Sequence, residues 1–418
     1  MKKTTCLIIG IVMALAFVSS MAMAQQGQGQ RGQGRGPMTQ FDQSGYAPKL
    51  FVNLPEWCHN PDGMTVCEES GNIYMNCPNF NNMKDGKKEF TATLTMMTPD
   101  GKFEKLLEYP PMAGTGQCGP MGLDFGPDGN LYVCDNQYFH DKDHKSRILC
   151  VEMKDGKPTG KITTVVDGVK LANAIMWYNN ELWVTDSFLD LEGYFGVGGL
   201  WRFKGDEILK QTEPLKVLPN GKDKHLVVIE GVKKIGREDN TGADGMTVDS
   251  NGVIYFGNFG DGVMYAVTIE ADDSVKCVKI LDDEQFQCCD GIFYDAVSNL
   301  IFINDSQKNS IRTMTTLRPQ RPNAPVRPNV PANRVVSRTI WENEDTDGTN
   351  GLLDQPCECV IIDGKMVIAN FDYPFPGLKN VKFDAPYTMS VIDIKPLQER
   401  MQQMRRQPPI TQQVPISR

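Results

Sequence analysis

Six times along the chain the same short pattern returns: one residue, usually an acid or amide, then a small residue and an apolar strand, a turn, and a second apolar strand. The copies begin at Asp62 (DGMTVCEESGNIYMNC), Met121 (MGLDFGPDGNLYVCD), Asn173 (NAIMWYNNELWVTD), Asp244 (DGMTVDSNGVIYFGN), Asp290 (DGIFYDAVSNLIFIND) and Glu358 (ECVIIDGKMVIAN). Their first positions, 62, 121, 173, 244, 290 and 358, are 59, 52, 71, 46 and 68 residues apart. Repeats of ~40 to 50 residues built from alternating strands and turns mark a propeller, in which each blade is a four-stranded sheet. A blade cannot bury both faces alone, so neighbours must stack, and six close a ring. The fold class is therefore all-β, a six-bladed β-propeller.

The first position of each copy opens the innermost strand, so all six converge on the axis at one face. The segment Pro48–Leu54 (PKLFVNL) resembles the outermost strands of the other copies. The last copy, ending with Tyr387–Ile394, has no fourth strand, so the N-terminal strand completes blade six and closes the ring. Connections between second and third strands emerge over the converging positions. They are long in blade two (Asn136–Ser146, with His140 and His144), blade three (Ser187–Gly199) and blade six (Phe371–Ala385, with Tyr373), and short in blades four and five. Long walls and a low rim suit a small-molecule cleft. Met121, His140, Asp186, Asp305 and Tyr373 are its candidate lining residues.

Outside the repeats, residues 1–24 read as a secretory signal: Lys2 and Lys3, the apolar run Leu7–Val18, and the small-residue cleavage site Ala22-Met23-Ala24. No other stretch has the length to span a bilayer. The chain is expected to be exported, periplasmic or extracellular. Residues 25–40 form a Gln/Gly-rich flexible linker, 41–395 the propeller, and 396–418 a disordered tail. A Pro/Arg-rich excursion (316–340) interrupts blade five, its prolines too closely spaced for a strand. The net charge of −9 argues against nucleic acid as the main partner. Of twelve cysteines, several precede ring positions (Cys118, Cys288, Cys289, Cys357) and read as loop staples. Asn343–Asp354 (NEDTDGTNGLLD) echoes a calcium loop without flanking helices.

Asp62, Asn173 and Asp244 offer three side-chain oxygens at the hub, with Asp290 and Glu358 beside them. Converging carboxylates repel unless a cation sits among them. A hard divalent ion is the expected cofactor: Ca²⁺, or Zn²⁺, Mg²⁺ or Mn²⁺.

The ordered hub series, an acid from blade one, Asn from blade three and Asp from blade four, resembles the SMP-30/gluconolactonase/luciferin-regenerating family of six-bladed propellers over roughly residues 51–394. The resemblance implies a central calcium or similar ion held by Asp62 (a Glu in the family), Asn173 and Asp244. It further implies metal-assisted hydrolysis of a sugar lactone or similar ester, with Asp244 as the first base and Asp290 and Glu358 next. Met121 stands where the family has Asn, and a thioether is a poor ligand for a hard ion. A carbohydrate- or protein-binding propeller without turnover stays open beside it, as do phosphotriester hydrolysis and a lyase reaction. No Gly-x-Ser-x-Gly elbow is present, which disfavours a serine hydrolase.

Overall fold

The computed structural model describes residues 43–80, 90–143, 145–192, 194, 196–232, 241–283, 286–317, 335–374, 378–383 and 385–406. The signal, the linker, His144 and the proline-rich stretch 318–334 lie outside the described residues. Blade one contains β2 (Met64–Val66), β3 (Ile73–Cys77), β4 (Thr93–Met97) and β5 (Phe103–Glu108). Blade two holds β6 (Pro120–Phe125), β7 (Leu131–Asp135), β8 (Ser146–Lys154) and β9 (Lys157–Val169). Blade three holds β10 (Ala172–Tyr178), β11 (Glu181–Asp186), β12 (Val197–Lys204) and β14 (Leu226–Gly231). Blade four runs β15 (Ala243–Val248), β16 (Ile254–Asn258), β17 (Met264–Ile269), β18 (Val275–Leu281), and blade five β19 (Ile292–Asp295), β20 (Leu300–Asp305), β21 (Ser310–Thr315), β22 (Ser337–Glu342). In blade six, β23 (Pro356–Ile362), β24 (Lys365–Asn370) and β25 (Thr388–Asp393) are joined by β1 (Lys49–Asn53).

The pairing of Lys49 with Val391 and Asn53 with Thr388 completes the last blade with the chain's first strand, the expected closure. Second strands are buried along their whole length in blades one to five, because both faces of each sheet are covered by neighbouring blades. Outermost strands such as β5 and β18 are largely solvated. An added strand, β13 (Leu215–Lys216), runs parallel to β9 on the rim of blade two.

The small residue after each hub position lets adjacent innermost strands touch. A Cβ on Gly63 would stand 2.5 Å from the Met121 carbonyl, and one on Gly122 would stand 2.6 Å from the carbonyl of Asn173. Side chains on Gly245 and Gly291 would overlap the carbonyls of Asp290 and Cys357. The glycines therefore set the width of the hub.

Three expectations are corrected. The tail from Pro396 begins as a helix, α2 (Lys395–Arg406), because proline is tolerated in a first helical turn and Leu397 and Gln398 are buried. The Gln398 amide donates to both oxygens of Asp295, at 3.2 and 3.1 Å. The blade-five excursion ends before 340, since β22 starts at Ser337. Among the cysteines only Cys58 and Cys77 are disulfide-bonded in the described residues. Cys118, Cys288, Cys289 and Cys357 are buried outside any disulfide among the described residues and pack as small apolar groups, the Cys357 thiol resting 3.0 Å from the Pro61 carbonyl.

The loop Asn343–Asp354 closes on itself. The Asn343 amide donates to the Glu344 and Leu353 carbonyls at 2.7 and 2.8 Å, and Asp347 accepts from the Thr349 hydroxyl at 2.7 Å.

Candidate functional site

Irregular pairing aims the hub side chains inward. Register shifts fall between Pro120 and Leu123, Ala172 and Ile175, Ala243 and Met246, and Pro356 and Glu358. In blades two, three and four the interrupted stretch spans the hub residue itself, and in blade six it ends on it. A bulge re-aims the side chain it displaces. In blades one and five the hub residue is held by its backbone instead: the Asp62 and Asp290 amides donate to the Asn76 and Asn304 carbonyls at 2.9 and 3.0 Å.

These devices bring Asp62, Met121, Asn173, Asp244 and Asp290 to the floor of one cavity of about 220 Å³. Glu358 lies just behind, so close to Gly291 that a Cβ there would strike its carboxylate. The Glu358 carboxylate accepts from the Cys359 amide at 2.9 Å, and Asp290 accepts a hydroxyl bond from Ser306. Asn173 and Asp244 make no side-chain hydrogen bond among the described residues.

Burial is the largest influence on all four carboxyl groups, and repulsion from neighbouring acids adds to it at Asp244, Asp290 and Glu358. Asp62 is pushed up to about 7 by burial against the restraining Gly63 amide. Glu358 rises to about 8 through burial and the Asp62 charge. Asp244 is raised well above the carboxylate range by burial, then by Asp62 and Glu358. Asp290 follows through burial, Asp244 and Asp62.

Oxygen donors converge here with no cationic side chain on the floor, and that donor set fits a hard divalent ion. No three His, Cys, Asp or Glu side chains among the described residues are placed to hold an ion by themselves.

The sign of the pH dependence follows. Unfolded, Asp and Glu release their protons near 3.8 and 4.5; folded and metal-free, Asp62 and Glu358 keep them to about 7 and about 8. The folded state then binds more protons, so stability is greatest below the unfolded values and falls as pH rises through this window. Thermal melts in chelator should therefore show a Tm about 5 °C higher at pH 5 than at pH 8. Excess Ca²⁺ should reverse the trend, because binding requires deprotonated ligands. A chelated protein that melts earlier at pH 5 would contradict the buried-acid account.

The other candidates divide. Met121 lines the cavity. Asp186 and Asp305 brace backbone instead: Asp186 accepts from the Leu171 amide at 2.8 Å and Asp305 from the Gln287 amide at 3.2 Å. Asp135 and Asn370, at the same strand end in blades two and six, hold the Gly119 and Asp354 amides. Burial pushes Asp186 and Asp305 up to about 6. His140 packs against Phe80, ring centroids 6.1 Å apart, and Tyr373 against Phe371 at 6.3 Å; neither lines the cavity.

The expected loops do form the wall, but through other side chains. Tyr138, Phe139 and Lys142 come from blade two, Ser187 and Phe188 from blade three, and Phe371 from blade six. Phe259, from the short turn of blade four, and Asn136, Leu171, Thr241, Gln355 and Cys357 complete it. Tyr138 and Phe188 stack at 4.7 Å with planes 18° apart, and the Lys142 ammonium sits 3.6 Å over the Tyr138 ring. The loop lengths signalled this wall; aromatic residues flanking the conspicuous histidine were the better pointer to its surface.

No protein-family model and no curated sequence matches the chain. Solved structures do. Luciferin-regenerating enzyme superposes with a TM-score of 0.51 at 12% identity, covering 83% of this chain and 94% of its own. A glucose dehydrogenase gives 0.50 at 11%, covering 82% and 98%. A gluconolactonase from Xanthomonas campestris gives 0.45 at 10%, covering 83% and 95%. At such identities the likeness is one of architecture, and on that level the resemblance drawn from the repeats is borne out: this chain shares the six-bladed propeller fold of the SMP-30/gluconolactonase/luciferin-regenerating group.

Proposed function

We propose that the chain is an exported, divalent-metal-dependent hydrolase that opens a small cyclic ester. The observation that carries this reading is the group of buried hub carboxyls gathered with Asn173 on one cavity floor, where the one cationic lining side chain among the described residues, Lys142, lies over the Tyr138 ring. Export is supported by the N-terminal leader pattern and by the Cys58–Cys77 disulfide, which suits an oxidising compartment.

Asp62, Asn173 and Asp244 would hold the ion, Ca²⁺ by the hardness of its donors. Bound there, it supplies Lewis acidity toward the ester carbonyl and neutralises the hub. Asp244, which makes no side-chain hydrogen bond among the described residues, takes the proton of the attacking water as the new C–O bond forms. The ring C–O bond then breaks and the alkoxide recovers that proton, giving a hydroxy acid. Asp290, fixed by Ser306, is the next acid on the cavity floor, and Glu358, fixed by the Cys359 amide, stands behind it. The aromatic wall keeps bulk water from the floor.

Purified protein assayed on a panel of sugar, alkyl and aryl lactones, with and without EDTA, tests the proposal. Turnover that EDTA removes and Ca²⁺ restores is expected; inactivity on the whole panel would sink it.

A further inference from the structure

The wall above the hub is built for a ring without many polar groups. We infer that the substrate is an aryl-substituted or benzo-fused lactone and not a polyhydroxylated sugar lactone, an inference that rests on the hydrolase reading and narrows it.

Five aromatic residues, Tyr138, Phe139, Phe188, Phe259 and Phe371, line the cavity. The stacked Tyr138 and Phe188 form one flat panel. An aromatic ring lies favourably against such a panel, offset-stacked or edge-on. A sugar lactone brings several hydroxyls, each of which loses water on entry and must find a partner.

The wall has few partners to give. The Ser187 hydroxyl already donates to the Ala243 carbonyl at 2.6 Å, and the Gln355 carbonyl oxygen accepts from the Tyr373 amide. The Asn136 carbonyl oxygen accepts from the Tyr138 amide at 2.9 Å. Among the described residues, the fully buried wall atoms left without a partner are the Asn136 amino group and the Thr241 hydroxyl, and the Lys142 ammonium lies over the Tyr138 ring, enough for a polar group or two such as those of the ester itself. Met121 extends the same logic to the floor, where an apolar side chain takes the place of an oxygen donor.

The experiment pairs turnover with binding. Steady-state kinetics of the Ca²⁺-loaded protein would compare a benzo-fused δ-lactone, glucono-δ-lactone and γ-butyrolactone, and calorimetry would follow the corresponding benzo-fused lactam, which resists hydrolysis. The benzo-fused lactone should exceed glucono-δ-lactone in kcat/KM by about tenfold or more. Phe188→Ala should cut kcat/KM for the benzo-fused lactone about tenfold more than for γ-butyrolactone and weaken the lactam. Phe259→Leu, a milder change, should do the same in smaller measure and guards against misfolding of the first variant. Faster turnover of glucono-δ-lactone would overturn the inference and leave the hydrolase reading standing. Lactam binding that Phe188→Ala weakens, without turnover of any lactone, would sink the hydrolase reading and uphold the aromatic ligand. Absence of both would overturn the two together.

Discussion

Asp244→Asn should reduce lactone turnover by at least about 10³-fold and abolish tight binding of one divalent ion, while making the metal-free protein more stable. The activity loss combines removal of a proton acceptor, which is worth about 10² to 10⁴-fold, with removal of a charged ligand. The gain in stability arises because burial, then the Asp62 and Glu358 charges, raise the native carboxyl well above its ordinary value; an amide of the same shape carries no such ionisation cost. A residue that merely supported the fold would show the opposite sign. Metal analysis after dialysis and melts at pH 8 in EDTA and in Ca²⁺ are the measurements. An ion retained at full stoichiometry, or a lower Tm in EDTA, would remove Asp244 from the proposed role.

Gly245→Ala should be among the most damaging small substitutions in the described residues, failing to give soluble protein or lowering Tm by more than about 10 °C. The added methyl would overlap the carbonyl of Asp290. That obstacle is backbone of the next innermost strand, not the tip of a flexible side chain, so relief requires two blades to move apart at the hub. Gly231→Ala, where the methyl would meet nothing within 4 Å, is the control and should leave Tm within about 1 °C. Equal melting of the two variants would refute close approach as the reason for the glycine.

The acid–glycine pair thus has two separable jobs. Its first member supplies the charge at the hub, and its second allows the strands near enough for those charges to meet. Asn173 with Ala174 and Glu358 with Cys359 keep the arrangement with larger second residues. At Asn173 the local register shift also displaces the strand.

Read from sequence, the architecture was almost fully accessible. Strand alternation and turn residues are local signals, and six repetitions made them unambiguous even where a single copy was weak. The closure by Lys49–Asn53 followed from a missing fourth strand. Convergence of Asp62, Asn173, Asp244 and Asp290 followed from the shared position in the repeat, because a ring carries equivalent positions to equivalent places. Asp186 and Asp305 show where the same reasoning misleads: they too recur, but their recurrence reflects a backbone bond repeated from blade to blade, and burial is the largest cause of their raised acidity constants.

What the repeats determined by themselves was the number of blades, the way the ring closes and which residues face its axis, since all three depend on spacing along the chain. Only the folded chain decided that Tyr138, Phe188 and Phe259, not His140 or Tyr373, make the wall, and that most cysteines in the described residues pack outside disulfides. Loop side chains and thiols take their places from contacts between residues far apart in sequence, and no local pattern encodes those.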